Sequence, residues 1–195
     1  KMKKIFALLC VVFICTGFIF ADDAGDEYDD YDDSDVYEIN GAGDQFLKIG
    51  LMPVIPLNFD KKIHVGGGAE FGYYRFVNKW LAIGGEASFS FNTTIGSNIL
   101  TLLPIVFGAT FQPSVGKFEF PVLVAVGIAH ESAQNSSYFP GFAFKSDVGA
   151  YYRIGEAWSF GLSCQFLWLP QWYKDSSKND NGLFLAPTVS ARYHF

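Results

Sequence analysis

The stretch DVGAYYRIGEAWSFGLSCQF, residues 147–166, decides the fold. Before Gly155 the apolar and aromatic side chains fall on Val148, Ala150 and Tyr152, and the polar ones on Asp147, Tyr151 and Arg153. After Ala157 the alternation resumes. Trp158, Phe160, Leu162, Cys164 and Phe166 are apolar, while Ser159, Ser163 and Gln165 are not. Residues two apart share one face of a strand, so this spacing predicts two strands, each with one apolar face. Gly155-Glu156-Ala157 is short and turn-forming, which makes the pair an antiparallel hairpin.

The same period extends in both directions. Upstream, the apolar face carries Leu47, Ile49 and Leu51, then Ala69, Phe71 and Tyr73, then Leu81, Ile83, Ala87, Phe89 and Phe91. Ile105, Phe107, Ala109 and Phe111 follow, and then Phe118, Phe120, Val122, Val124, Val126 and Ile128. Phe142 and Phe144 begin the strand that continues into Val148. Downstream come Leu183, Leu185, Val189, Ala191, Tyr193 and Phe195. The opposite face is small or polar, with Lys48, Glu70, Gly84, Glu86, Thr110, Glu119, Lys145, Thr188, Ser190 and Arg192. Short turns at 77–79, 113–117 and 155–157 alternate with longer polar connections at 57–66, 92–98, 130–140 and 170–181. The expectation is an all-β fold of eight antiparallel strands in an up-and-down meander. Short turns at one end and long loops at the other describe a transmembrane barrel with periplasmic turns and both termini in the periplasm.

Parity alone does not say which face is outside, because a soluble lipocalin-like barrel has the same period with an apolar lumen. Composition decides. Half of the residues are apolar, 18% are aromatic and only 17% are charged, against about 25% charged in an ordinary soluble domain. A water-facing exterior of this extent would be rich in Lys and Glu. Tyr73, Trp80, Phe111, Phe118, Tyr152, Trp158, Tyr193 and Phe195 also gather beside the short turns, where an interfacial aromatic girdle belongs. In hydrocarbon no strand edge is left unpaired, so the sheet must close.

Residues 1–21 read as a signal peptide: Lys1, Lys3 and Lys4, an uncharged apolar run over 5–20, and cleavage after Ala21. Residues 22–44 open with ten acids and no base across 22–38, and are expected to be a disordered acidic segment in the periplasm. Residues 45–195 form the barrel, with eleven bases against ten acids beyond residue 38. No basic patch is available for nucleic acid. Cys10 and Cys15 belong to the leader, so Cys164 has no partner and is expected to be a small packing residue.

The final strand, with Val189, Ala191 and Tyr193 alternating before a terminal Phe195, resembles the terminal signal of bacterial outer-membrane proteins. That resemblance implies recognition by the barrel-insertion machinery. The stretch LPIVFGATFQPSVGKFEFPVLVAVGIA, residues 103–129, and the hairpin of residues 147–166 resemble the small OmpA/OmpX/OmpW-type barrels, the OmpW group most nearly. The resemblance implies a barrel and, for the OmpW group, uptake of small hydrophobic molecules.

An eight-stranded lumen is just wide enough for side chains to fill, so its charges should be paired. The lumen cluster is Glu70, Glu86, Glu119, Lys145, Asp147, Arg153 and Arg192. Two readings stand for it: a static plug, or a constriction whose ion pairs exchange partners. Above it Leu167, Leu169 and Phe184 suggest an apolar vestibule. Enzyme signatures are weak. The sequence has no Gly-x-Ser-x-Gly, His-Glu-x-x-His or Cys-x-x-Cys, and His64, His130 and His194 lack metal-ligand spacing. No cofactor or metal is expected. His130 and Ser132 share the outward face and resemble the His-x-Ser pair of lipid A deacylases, but no acid on that face completes a triad. The expectation is therefore not an enzyme, with a lipid A-modifying activity a distant alternative. A narrow channel or binding barrel for small solutes comes first, and a surface-interaction protein acting through its loops second.

Overall fold

A computed structural model describes residues 40–59, 63–94, 98–133, 136–173, 175, 177 and 179–195. The leader (1–21) and most of the acidic segment (22–39) lie outside the described residues.

The strands are β1 (Gln45–Pro56), β2 (Gly66–Asn78), β3 (Leu81–Thr93), β4 (Ile99–Phe111), β5 (Ser114–Val115), β6 (Phe118–Glu119), β7 (Val122–Ala133), β8 (Ser136–Ile154), β9 (Trp158–Gln171) and β10 (Asp180–His194). Eight of them are long and form a closed antiparallel ring: β1 pairs with β2 on one side and β10 on the other, with Leu47 opposite both Tyr73 and Tyr193. Gln45 and Phe195 close the seam with reciprocal backbone hydrogen bonds of 3.0 and 2.9 Å. The count of ten arises because β5 and β6 are two-residue strands of one small hairpin between β4 and β7. Pro121, which has no backbone N–H, interrupts the passage from β6 into β7.

The tight turns follow local chemistry. Asn78 Oδ1 accepts from the backbone N–H groups of Trp80 and Leu81, each at 2.9 Å, and so closes the β2–β3 turn. Gly116 and Gly155 adopt positive φ (57° and 69°) in the two other short turns, where a side chain would be strained. One expected loop is not a loop. Residues 130–140 are mostly strand: β7 runs to Ala133, opposite Ser136 of β8, with a register shift between Ala129 and Glu131. The sequence pattern fades there because both faces become polar beyond the apolar belt, while the ladder itself needs only backbone groups.

The exposure pattern is inside out relative to a water-soluble protein. Leu51, Phe107, Leu162 and Val189 are 63–68% exposed on the outer face, whereas Lys48 and Glu119 are at most 1% exposed inside. Aromatic contacts ring the turn end: Trp158 with Tyr193 and Phe118 with Tyr152, both with centroids 5.1 Å apart. A second group, Phe142 with Trp168 and Trp172, lies at the loop end. Cys164 is a free thiol on the outer face, so it packs against the surroundings of the barrel rather than in the protein interior.

The acidic segment was expected to run unstructured to residue 44, but residues 40–44 are ordered. Gly43 N–H donates to the Phe76 carbonyl at 2.9 Å, and Asn40 is buried against the turn end.

Candidate functional site

The lumen is filled in layers, and inward parity decides which side chains fill them. At the turn end, β6 supplies Glu119, β8 Arg153 and β10 Arg192 and His194. Glu119 Oε1 lies 2.8 Å from Arg153 Nε, and its Oε2 accepts from Gln112 Nε2 at 3.0 Å. Arg192 donates to Gln112 Oε1 at 2.8 Å and lies 3.7 Å from Glu119. Its guanidinium stacks over the Tyr151 ring at 3.5 Å and lies 4.9 Å from the Phe46 centroid. Such a planar cation sheds water more readily than an ammonium does, which suits it to this dry position. Arg153 also donates to Asn40 Oδ1 at 2.8 Å and contacts His194 Nδ1 at 2.7 Å. Asn40, upstream of β1, is thereby tied to the charged layer at the turn end.

One layer further in, two lysines are shared among three carboxylates. Lys48 Nζ lies 2.9 Å from Glu70, 3.3 Å from Glu86 and 2.8 Å from Asp147. Lys145 Nζ lies 2.9 Å from Glu70 and also pairs with Glu86. Gln165 donates to Glu70 at 2.6 Å and to Thr188 at 2.9 Å, which satisfies further lone pairs. Each charge is fully buried, so each needs its partners: an unpaired ion at this depth costs several kcal/mol, on the order of that for any desolvated charge. The two ion layers are electrically balanced, since the four cations Lys48, Lys145, Arg153 and Arg192 face the four anions Glu70, Glu86, Glu119 and Asp147. A pocket beside Lys48, Glu86, Asp147 and Arg192 holds about 10 Å³, roughly the space of a single water.

Above the ions lies an apolar layer containing Met52, Val54, Leu102, Leu169 and Phe184. At the loop end this layer opens into a cavity of about 550 Å³ lined by Phe59, Ile63, Leu100, Ala133 and Phe184 together with Thr94, Glu131, Gln171, Asp180 and Gly182. Of the three vestibule residues expected, Phe184 lines this cavity. Leu169 is fully buried in the layer beneath and Leu167 packs against that layer.

The structure brings all seven residues of the expected charge cluster into the lumen, split between two layers. Lys48 joins the deeper layer, and its inward parity with Glu70 and Glu86 was a legible signal. Glu131 also has inward parity. Phe59 comes from a connection, where no periodic pattern marks it, and Asp180 is the first residue of β10, inside the expected 170–181 connection. On the outer wall His130 stands against the Phe139 ring at 5.9 Å, and Glu131 between His130 and Ser132 faces the lumen.

Fold and filled lumen together define the class: a small outer-membrane β-barrel. The chain belongs to the protein family whose model matches residues 27–193. It is 32% identical over 143 residues to an uncharacterized protein of Treponema pallidum (strain Nichols), an alignment covering 64% of this chain and 65% of that one. A second uncharacterized protein of the same organism is 21% identical over 196 residues, covering 83% and 67%. The chain thus spans about two thirds of the length of these relatives. Among solved structures, Neisserial surface protein A superposes with a TM-score of 0.64 at 9% identity, covering 78% of this chain and 99% of that one. The attachment invasion locus protein Ail of Yersinia pestis gives 0.52 at 15% identity, with the same coverage. OprG of Pseudomonas aeruginosa gives 0.51 at 10% identity, covering 81% and 98%. Ail is also known in complex with the heparin analogue sucrose octasulfate.

Proposed function

We propose that this protein is a binding barrel of the outer membrane. In this reading it takes small, largely apolar solutes into the loop-end cavity, above a lumen closed by paired charges. The supporting observation is the vertical order of the interior: a cavity of about 550 Å³ with Phe59, Leu100 and Phe184 in its wall, above layers of paired buried charges where the pocket beside Lys48, Glu86, Asp147 and Arg192 holds only about 10 Å³. A cavity of that size falls within the roughly 300–1,000 Å³ of small-molecule sites. In this reading the turn end faces the periplasm.

A second reading, passage through the lumen, is favoured by the sharing of carboxylates. Glu70 and Glu86 each contact both lysines, so one pair can loosen while another holds. The two readings separate in a planar bilayer combined with solute binding. The binding barrel should be electrically silent yet take up 1-hexanol saturably, with Leu100→Trp abolishing uptake. Discrete conductance steps altered by Arg153→Ala plus Arg192→Ala would favour passage instead.

A further inference from the structure

The loop-end cavity differs from the rest of the interior in its charge. Every carboxylate of the two ion layers lies within reach of a cation, whereas the cavity lining includes two acids, Glu131 and Asp180, and no base among the described residues. Glu131 is only 6% exposed. Its Oε2 accepts from Gln171 Nε2 at 2.7 Å, but its Oε1 is buried with no hydrogen-bond partner among the described residues. A buried carboxylate with half of its acceptors unmet carries a desolvation cost that a cation would relieve. A bare metal ion is a poor candidate, since no group of three or more metal-ligating side chains occurs among the described residues. The apolar part of the lining is the rings of Phe59 and Phe184 with Ile63, Leu100 and Ala133, and these suit hydrocarbon.

We propose that this cavity selects amphipathic organic cations, with the ammonium group against Glu131 and Asp180 and the apolar portion against Phe59, Leu100 and Phe184. The inference rests on the binding reading above and names the class of solute. Burial also pushes the Glu131 carboxyl upward from the ordinary carboxylate value, with the charge of Asp180 adding to it against the Gln171 hydrogen bond. Glu131 lies above the apolar belt, which on β7 ends at Ile128, so it meets water-borne solute.

The test uses the full chain refolded into zwitterionic-lipid nanodiscs, with empty nanodiscs as the partition control. Three probes of equal chain length are titrated by calorimetry: hexylammonium, 1-hexanol and hexanoate. Hexylammonium should bind about tenfold or more tightly than 1-hexanol, and hexanoate most weakly, because a charge-assisted hydrogen bond at a dry site discriminates by that much. Glu131→Gln keeps the side-chain shape and an oxygen for Gln171. It should remove the preference for hexylammonium while leaving 1-hexanol unchanged. Equal binding of hexylammonium and 1-hexanol in the unaltered protein would overturn the cation inference and leave the binding reading standing. Retention of the preference in Glu131→Gln would overturn it as well. Failure of all three probes would defeat the binding reading itself.

Discussion

Lys145 Nζ contacts Glu70 and Glu86 together at a position 2% exposed. Lys145→Met would leave two carboxylates sharing Lys48 with Asp147. Its expected cost is about 3–5 kcal/mol, the range for breaking a buried pair from one side. Adding Glu86→Gln removes the orphaned charge, so the double variant should be less destabilised than the sum of the singles. Urea unfolding in lipid vesicles measures both, and strict additivity would mean that the pair is not coupled. Glu131 illustrates the opposite case. Its carboxyl is raised in the folded protein by burial, so the folded state binds more protons than the unfolded one just above the ordinary carboxylate range. Stability contributed at this site is therefore greatest at low pH and falls as pH rises through the folded value. Glu131→Gln should be more stable than the parent near neutrality and equal to it at about pH 4, close to the ordinary glutamate value. An unchanged difference across that interval would show that Glu131 does not titrate as its surroundings require.

At the scale of strands, two cross-strand pairs set a tyrosine against a glycine. Tyr74 of β2 faces Gly84 of β3, and Tyr151 of β8 faces Gly161 of β9. A Cβ on Gly84 would stand 2.0 Å from the Tyr73 carbonyl oxygen and 2.7 Å from Tyr74 Cδ1. Backbone would have to move. Gly84→Ala is expected to cost about 1–3 kcal/mol from overpacking and to lower the folded fraction on refolding. Gly85→Ala, where the nearest atom is the Val106 oxygen at 3.2 Å, should be close to neutral. Similar losses from both would mean that the close approach at Gly84 is not what shapes the sheet. These pairs also explain how much was legible beforehand. Strand identity and facing were readable because lipid imposes period two on every outward position from Leu47 to Tyr193. Inward charges were readable by the same parity, so seven lumen residues could be named from the sequence. Which carboxylate meets which lysine was not, because it depends on stagger around the ring. Lys48 sits beside Gly72 on one side and Arg192 on the other, yet its partners Glu86 and Asp147 come from strands not adjacent to its own. The cavity ring Phe59 comes from a connection, which carries no period, and the cavity acid Asp180 opens β10 where the apolar alternation has not yet begun.

Across its belt the barrel turns charge inward and hydrocarbon outward, an arrangement that suits a lipid surrounding. On the outward positions of the long strands, charge is confined to the turn end, where Arg75 lies beyond Tyr73 on β2. Between the Trp158–Tyr193 contact at one end and the Phe142–Trp168 contact at the other, the outward residues of β9 are Phe160, Leu162, Cys164 and Phe166. Leu162 is near the middle of that interval and 64% exposed, while Ile154 lies at the turn end and is 57% exposed. Exposure is therefore nearly the same at the two sites, and depth is what distinguishes them. If lipid surrounds the belt, Leu162→Arg should cost about 2–4 kcal/mol and Ile154→Arg only about 0–1, since the penalty for arginine falls from the midplane to the interface. Unfolding by denaturant in lipid vesicles of defined thickness gives both values, and thinning the bilayer should shrink the difference between them. In water the two substitutions would be equally harmless. Equal small costs in vesicles would place this face against solvent or protein instead of hydrocarbon, and the orientation of every side chain in the barrel would then need another explanation.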